Sequence, residues 1–339
     1  MNTPRQAPPD FFPAVHSIVE GARLGQLVDH DFGLRASSAI YLIQSGLNDH
    51  YALGSPEGDF VIRVYRRGWR SNEAITWELG LIEHLARRGA PVAECVRRVD
   101  GSWFSEIQAG EGVRQVAVFR RAPGPYTHFG NTGRSRISPA ACAEEFGRSV
   151  AEVHAAADSY QAQAPRFQLD LDHLLDQPLQ AITQVYAHRK RDLDDLWQLA
   201  NQLRQMLDSG GPLALDWGPC HGDMSGGNST YWNGHVIHFD FDCAGPGWRA
   251  YDLGVFFWSL SINGHGADVW EPFLRGYSSR HSLPGADLSM VRVFAAMRVI
   301  WLMGLWCANA PVLGYHKLHD DYFDRELRRV SEFHQQAMG

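Results

Sequence analysis

The sequence predicts an α+β protein in which an antiparallel sheet comes first and helices dominate the remainder. Three observations predict it. From Ser37 onward, short apolar runs are broken by turn residues, the texture of strands joined by tight connections. From Ser138 onward, apolar residues recur mainly at helical spacing. Between the helical stretches lies a strand-and-loop island, residues 220–254, around which the rest of the chain is organised.

The chain has 339 residues, 45% of them hydrophobic, which is ample for a large core and suits one two-lobed unit or two domains. A formal net charge of −7 and the lack of a basic run argue against nucleic acid as a partner. Five cysteines (Cys95, Cys142, Cys220, Cys243 and Cys307) form no Cys-x-x-Cys pair. They fit small packed thiols in a reducing cytoplasm. Residues 1–9 are polar and Pro-rich, unlike a signal peptide. The longest apolar stretch, residues 299–308, is too short to span a bilayer, so a soluble protein without a membrane partner is expected.

Taken in order, residues 11–27 have helical spacing (Val15, Ile18, Val19, Ala22, Leu24) and should pack on the first part of the fold. Residues 39–43 and 50–53 read as strands around the turn Ser45-Gly46-Leu47-Asn48-Asp49, and a hairpin at 54–59 leads to a strand at 60–65. In that strand Arg63 sits among apolar neighbours, where a cation is costly unless paired. A helix over 71–88 carries Glu73, Glu78 and Glu83. The strand at 115–120 ends at Arg121-Ala122-Pro123-Gly124-Pro125, a break that sets a boundary near Arg121 and domains at 1–121 and 122–339. Ser138-Pro139 opens a helix by N-cap and first-turn proline, and that helix runs to Val153-His154. Residues 171–207 read as two helices with solvated charged faces. Residues 253–262, 270–281 and 288–307 read as three aromatic-rich helices.

The chemistry is concentrated in the central island. Asp223 follows His221 by two positions and Asn228 follows Asp223 by five, giving His-x-Asp-x-x-x-x-Asn. In protein kinases that spacing supplies an Asp to receive the hydroxyl proton and an Asn to hold magnesium. A hairpin turn at Trp232-Asn233-Gly234 leads into Val236-Ile237-His238-Phe239, and Asp240 closes that run as the end of a buried strand. Phosphoryl transfer asks a protein for positioning and charge neutralisation. Magnesium favours hard oxygen ligands and keeps several waters, so the Asp240 carboxylate and the Asn228 amide oxygen suffice beside phosphates. Asp223 is expected to stay unshared, because it has to meet the incoming hydroxyl.

Residues 220–254 resemble the aminoglycoside phosphotransferase and choline kinase superfamily. The motifs carrying the likeness are His221-Gly222-Asp223 with Asn228, then His238-Phe239-Asp240-Phe241-Asp242-Cys243-Ala244-Gly245, then Tyr251-Asp252-Leu253. The resemblance implies a two-lobed protein-kinase-like fold, ATP and Mg2+ as cofactors, and a small hydroxylated molecule as acceptor. It implies Asp223 as the catalytic carboxylate, Asn228 and Asp240 as metal ligands, and Asp242 in support of the metal. Asp252 is expected to brace the catalytic loop, and His154 to be a structural hydrogen-bonding histidine. Arg63, where the family more often has Lys, would hold the nucleotide phosphates with Glu78 as partner, Glu73 and Glu83 being rivals. Ser45 and Asn48 would lie over the phosphates in a turn with one glycine, an ordinary hairpin being the alternative. The acceptor pocket would be built from the carboxy-terminal helices. There Trp258, Trp301 and Trp306 could stack on a sugar or cage an ammonium group, and the acidic run His319–Asp324 could neutralise a cationic acceptor.

Two other readings remain open at this level. Arg63-Val64-Tyr65-Arg66 and Ala296-Met297-Arg298 also resemble bacterial stress-response Ser/Thr kinases of the superfamily, although only nine residues separate Asp242 from Asp252. A pseudokinase regulator would bind nucleotide without transfer. Candidate acceptors are aminoglycosides, choline or other amino-alcohols, homoserine and sugar-like molecules, with a tilt toward cationic ones.

Overall fold

The computed structural model describes residues 14–129, 138–210 and 215–338; the first three positions of the helix expected from residue 11 lie outside them. The chain divides into two compact units, Met1–Ser71 with Val96–Arg120, and Asn72–Cys95 with Arg121–Gly339.

The first unit opens with helix α1 (Gly21–Phe32), later than the spacing predicts. Val15 and Ile18, expected on a buried stripe, are 63% and 54% exposed. Their segment is held as an extended strap instead: the Tyr51 hydroxyl accepts from Val19 N at 3.0 Å and donates to Val19 O at 2.9 Å. Gly33, at φ 66°, ends α1 with its N–H on Val28 O. Strands β1 (Tyr41–Gln44), β2 (Asn48–Ser55), β3 (Gly58–Tyr65), β4 (Cys95–Val96), β5 (Ser105–Ala109) and β6 (Gly112–Arg120) form a sheet in the order β1-β2-β3-β6-β4, with β5 also on β6. The β1/β2, β2/β3, β3/β6 and β5/β6 pairs are antiparallel. Phe60, Ile62 and Val64 alternate onto one face of β3, where they pack with Tyr51, Val116 and Val118 against Leu24 and Val28 of α1.

The second unit is mainly helical. Helix α2 (Asn72–Arg87) belongs to it, followed by α3 (Pro139–Ala157), whose N-cap Ser138 Oγ accepts from Ala141 N at 3.2 Å. A π-helical segment, Asp172–Asp176, runs into α4 (Gln177–Val185) and then α5 (Lys190–Ser209). Strand β7 (Trp217–Cys220) pairs antiparallel with β10 (Gly245–Trp248), and β8 (Ser229–Trp232) with β9 (His235–His238). Asn233 and Gly234 take φ 50° and 91°, the left-handed pair that an Asn-Gly hairpin favours. Helices α6 (Arg249–Ile262), α7 (Ala267–Ser278), α8 (Gly285–Leu313) and α9 (Asp320–Met338) complete the unit.

One core gathers Leu196, Leu203, Phe294, Ile300 and Phe323; another gathers Phe146, Phe256 and Phe273. Helices α3 and α7 interlock through glycines, because a Cβ on Gly147 would stand 2.0 Å from Phe273 O and one on Gly276 1.9 Å from Glu144 O. Helix α8 is longer than the apolar run suggested, long and apolar enough by length and composition to cross a membrane, with 67% of that window buried inside the unit. In the acidic start of α9, Asp324 pairs with Arg189, the residue that precedes α5.

Candidate active site

Strand β7 delivers His221, Gly222 and Asp223 into a tight loop. Gly222 has φ 78°, and a Cβ there would lie 2.2 Å from Cys243 O, so only glycine fits. Asp252, in the first turn of α6, accepts the His221 and Gly222 N–H groups at 2.7 and 2.8 Å, bracing the loop from behind. The same carboxylate lies 3.0 Å from His154 Nε2, while His154 Nδ1 lies 2.9 Å from the Tyr277 hydroxyl. Burial pushes the His154 imidazole down, more than Asp252 raises it. Burial would raise the Asp252 carboxyl, but the hydrogen bonds from the His154 ring and the His221 N–H hold it below the usual range. Neutral His154 therefore donates through Nε2 and accepts the Tyr277 O–H at Nδ1. His221 is fixed likewise: its Nδ1 accepts from Asp223 N at 3.2 Å, so its Nε2 donates to Phe239 O at 3.0 Å.

The Asp223 carboxylate is shared, contrary to the expectation that it stands alone. Asn228 Nδ2 donates to Asp223 Oδ2 at 2.8 Å and to Asp223 O at 2.9 Å. Arg298, from the middle of α8, reaches Asp223 Oδ1 with Nη2 and Gly222 O with Nη1, the latter at 3.2 Å. A carboxylate oxygen accepts more than one donor, so each keeps room for a hydroxyl, and the side chain is 30% exposed. Phe239 N donates to Asn228 O at 3.0 Å, which sets Asp240 beside the loop that carries Asp223 and Asn228. Asp240 is a non-glycine residue at φ 65°, ψ 59°, a conformation that costs of order 1 kcal/mol and persists where the surroundings impose it. The buried Asp242 follows in a short 3-10 turn, which Arg166 grips through Asp242 O at 2.5 Å and Ala244 O at 2.7 Å.

Glu78 is fully buried on α2 in the second unit. Arg63, Ser45 and Asn48 belong to the first unit. Arg63 is buried on β3 between β2 and β6, not at a sheet edge. It donates to His50 Nε2 at 3.3 Å and lies 4.7 Å from the Phe119 ring centre. Ser45 Oγ donates to Asp49 Oδ1 at 2.6 Å, and Asn48 Oδ1 accepts from Arg66 N at 3.3 Å. Asn48 and Asp49 already belong to β2, so the turn is shorter than expected.

Residues 42–288 match the phosphotransferase enzyme family. The chain belongs to that family. An uncharacterized protein of Deinococcus radiodurans is 37% identical over 327 residues, covering 95% of this chain and 92% of the relative. A homoserine kinase of Polaromonas naphthalenivorans is 25% identical, covering 83% and 86%. Among solved structures, the amicoumacin kinase hAmiN in complex with AMP-PNP, Ca2+ and Ami superposes with a TM-score of 0.72 at 20% identity, covering 94% of each chain. The phosphotransferase thus has a kinase-like fold and is a kinase-type enzyme.

The residues of this phosphotransferase fit a hard divalent cation. Two acceptors on Asp223 fix the Asn228 amide with its nitrogen toward them, which turns Oδ1, a hard ligand, the other way. Among the described residues no group of three or more His, Cys, Asp or Glu could hold a metal, so a cation would complete its shell with phosphate and water. The expected aromatic cage carries its own cations. Arg298 lies 5.2 Å from the Trp258 ring centre and 4.7 Å from that of Trp301, and Lys317 Nζ lies 4.1 Å from that of Trp306. Cys220 is buried and its thiol is pushed far up, as a packed thiol and not a nucleophile. Two site residues escaped sequence reasoning as parts of the site, Arg298 and Arg166. For Arg298 the signal was there: an arginine with apolar neighbours near the middle of a long, mostly apolar helix.

Proposed function

We propose that this enzyme transfers the γ-phosphoryl group of ATP to a hydroxyl of a small molecule with Mg2+ present. The observation that carries the reading is the Asp223 carboxylate, which accepts hydrogen bonds from Asn228 and Arg298 and is still partly open. The acceptor oxygen forms its bond to the γ-phosphorus as the bond to the β,γ-bridging oxygen breaks, the electron pair leaving with ADP. The hydroxyl proton passes to Asp223. Asn228 and Asp240, with Asp242 in support, would hold magnesium, whose contribution when bound would be to neutralise charge on the transferred group. Arg63, Ser45 in the turn before β2 and Asn48 at the start of β2 would serve the phosphates, as would Glu78 on α2, so that residues 1–121 serve the nucleotide and 122–339 the acceptor.

The acceptor class follows from what the aromatic wall offers. Its tryptophan faces are covered by Arg298 and Lys317, which removes the support for an ammonium cage at those rings. Hydroxylated amino acids and amino-alcohols, antibiotics and sugar-like molecules remain in the class, and the homoserine kinase relative favours the first of these. A protein substrate is disfavoured, because the stretch from Asp242 to Asp252 is filled by a turn, β10 and the start of α6, leaving no activation segment. Five free thiols suit a reducing cytoplasm.

The test is ATP turnover with magnesium across a panel of homoserine, ethanolamine, choline, an aminoglycoside, a thioribose-type sugar and a generic protein substrate. One small molecule should raise turnover, and Asp223→Ala should lower it by about 10²–10⁴-fold, the worth of a positioned base. ATP binding without transfer to any panel member, with the variant matching wild type, would instead support a nucleotide-binding regulator.

A further inference from the structure

Helix α8 places Arg298 in its apolar middle, and the surroundings engage both terminal nitrogens and the flat face of its guanidinium. Arg298 is 3% exposed. Burying a guanidinium is costly unless each of its groups is matched. Its two terminal nitrogens reach different groups of one loop, the Gly222 carbonyl at 3.2 Å and the Asp223 carboxylate. Trp258 and Trp301 lie within 5.2 and 4.7 Å of its carbon, within cation–π range.

Trp301 is itself fixed. Its Nε1 donates to His173 Nε2 at 3.1 Å, and His173 stacks on Phe167 with ring centres 4.5 Å apart and planes 11° from parallel. His173 is presented by the π-helical segment, a rare geometry that often marks functional positions. Arg166, next to Phe167 in the chain, covers the Phe167 ring at 4.4 Å and grips the turn after Asp240. A continuous series of contacts therefore joins that turn to the catalytic carboxylate through Phe167, His173, Trp301 and Arg298.

We infer that Arg298 is a positioning residue for phosphoryl transfer, fixing the Asp223 carboxylate toward the acceptor hydroxyl through its bridge to Gly222 and the wall of Trp258 and Trp301. The inference rests on the phosphotransferase reading above. A planar, forked guanidinium can span a carbonyl and a carboxylate together, whereas a lysine ammonium is a point charge. Near-attack geometry is sensitive, and a misplacement of about 1 Å costs about 10²-fold in rate.

The experiment uses Arg298→Ala and Arg298→Lys with the panel acceptor that gives the highest wild-type rate. Melting temperature and titration with a fluorescent ATP analogue are measured beside kcat and KM. Arg298→Ala is expected to bind nucleotide like wild type while kcat falls about 10²-fold. Added guanidinium at millimolar concentration should restore at least a tenth of the lost rate, and urea should not. Should the Ala variant fail to fold, a folded Arg298→Lys with lowered kcat and unchanged nucleotide affinity supports the inference. Wild-type kcat in either folded variant, loss confined to KM, or loss in Arg298→Ala that guanidinium leaves untouched would overturn it. Failure of the underlying reading looks different: wild-type protein itself would transfer phosphate to no acceptor.

Discussion

At the scale of single residues, the loop from His221 to Asn228 shows how few conformations its sequence leaves open. Gly222 combines a left-handed φ with a backbone oxygen 2.2 Å from where a Cβ would stand. Gly222→Ala is expected to cost about 1–3 kcal/mol and to displace Asp223, with kcat down about 10²-fold, read by melting temperature and turnover. His154 gives a pH signature. Its ordinary value is 6.5 and the folded protein holds it lower, facing Asp252 and Tyr277, with Arg249 and His281 nearby. Between those two values the unfolded chain binds more protons, so stability falls as pH drops below about 6.5, by at most about 1.4 kcal/mol per pH unit from this group. Asp252 works the other way in the scale: held below 3.8, its contribution is present above that value and is lost only in stronger acid. Urea midpoints at pH 7 and pH 5 should therefore differ more for wild type than for His154→Gln.

Elements were legible to different degrees, for physical reasons. The hairpin at Asn233-Gly234 and the Ser138 cap rest on local backbone chemistry and are where the residues placed them, whereas the strand expected to end at Asp240 stops at His238, two residues short, because Asp240 takes a left-handed conformation. Helix α1 was misplaced because Val15 and Ile18 share helical spacing but are exposed, a fact of tertiary packing that periodicity does not carry. The Arg298 contact was missed because Asp223 and Arg298 are 75 residues apart and belong to different elements. The α3–α7 crossing was invisible too, since its glycines matter only against each other's helix. Gly276→Ala should destabilise by about 1–3 kcal/mol by overpacking. Gly285→Ala, where nothing lies within 4 Å, should stay within about 0.5 kcal/mol of wild type, both read by chemical denaturation.

Across the whole molecule, chemistry and packing separate cleanly in the thiols. Burial pushes Cys142 up to about 11 and Cys307 up to about 12, and Cys220 is buried as well, whereas Cys95 and Cys243 are half-buried. An aromatic disulfide reagent at pH 8 should titrate two thiols quickly in the folded protein and all five after unfolding. Cys243 packs against the Gly222 backbone, so its modification should lower turnover. The pinned Asp223 also bears on fidelity. Asn228 and Arg298 hold this carboxylate from within the chain, so in the proposed role its aim does not depend on groups supplied by the acceptor. On the proposed function, the acceptor is then not needed to assemble the base, and a stray water in the same place would meet the same carboxylate. Wasteful ATP hydrolysis is then restrained by how well the acceptor's own shape crowds water out, which makes a slow, acceptor-independent release of phosphate an expected trait of this protein.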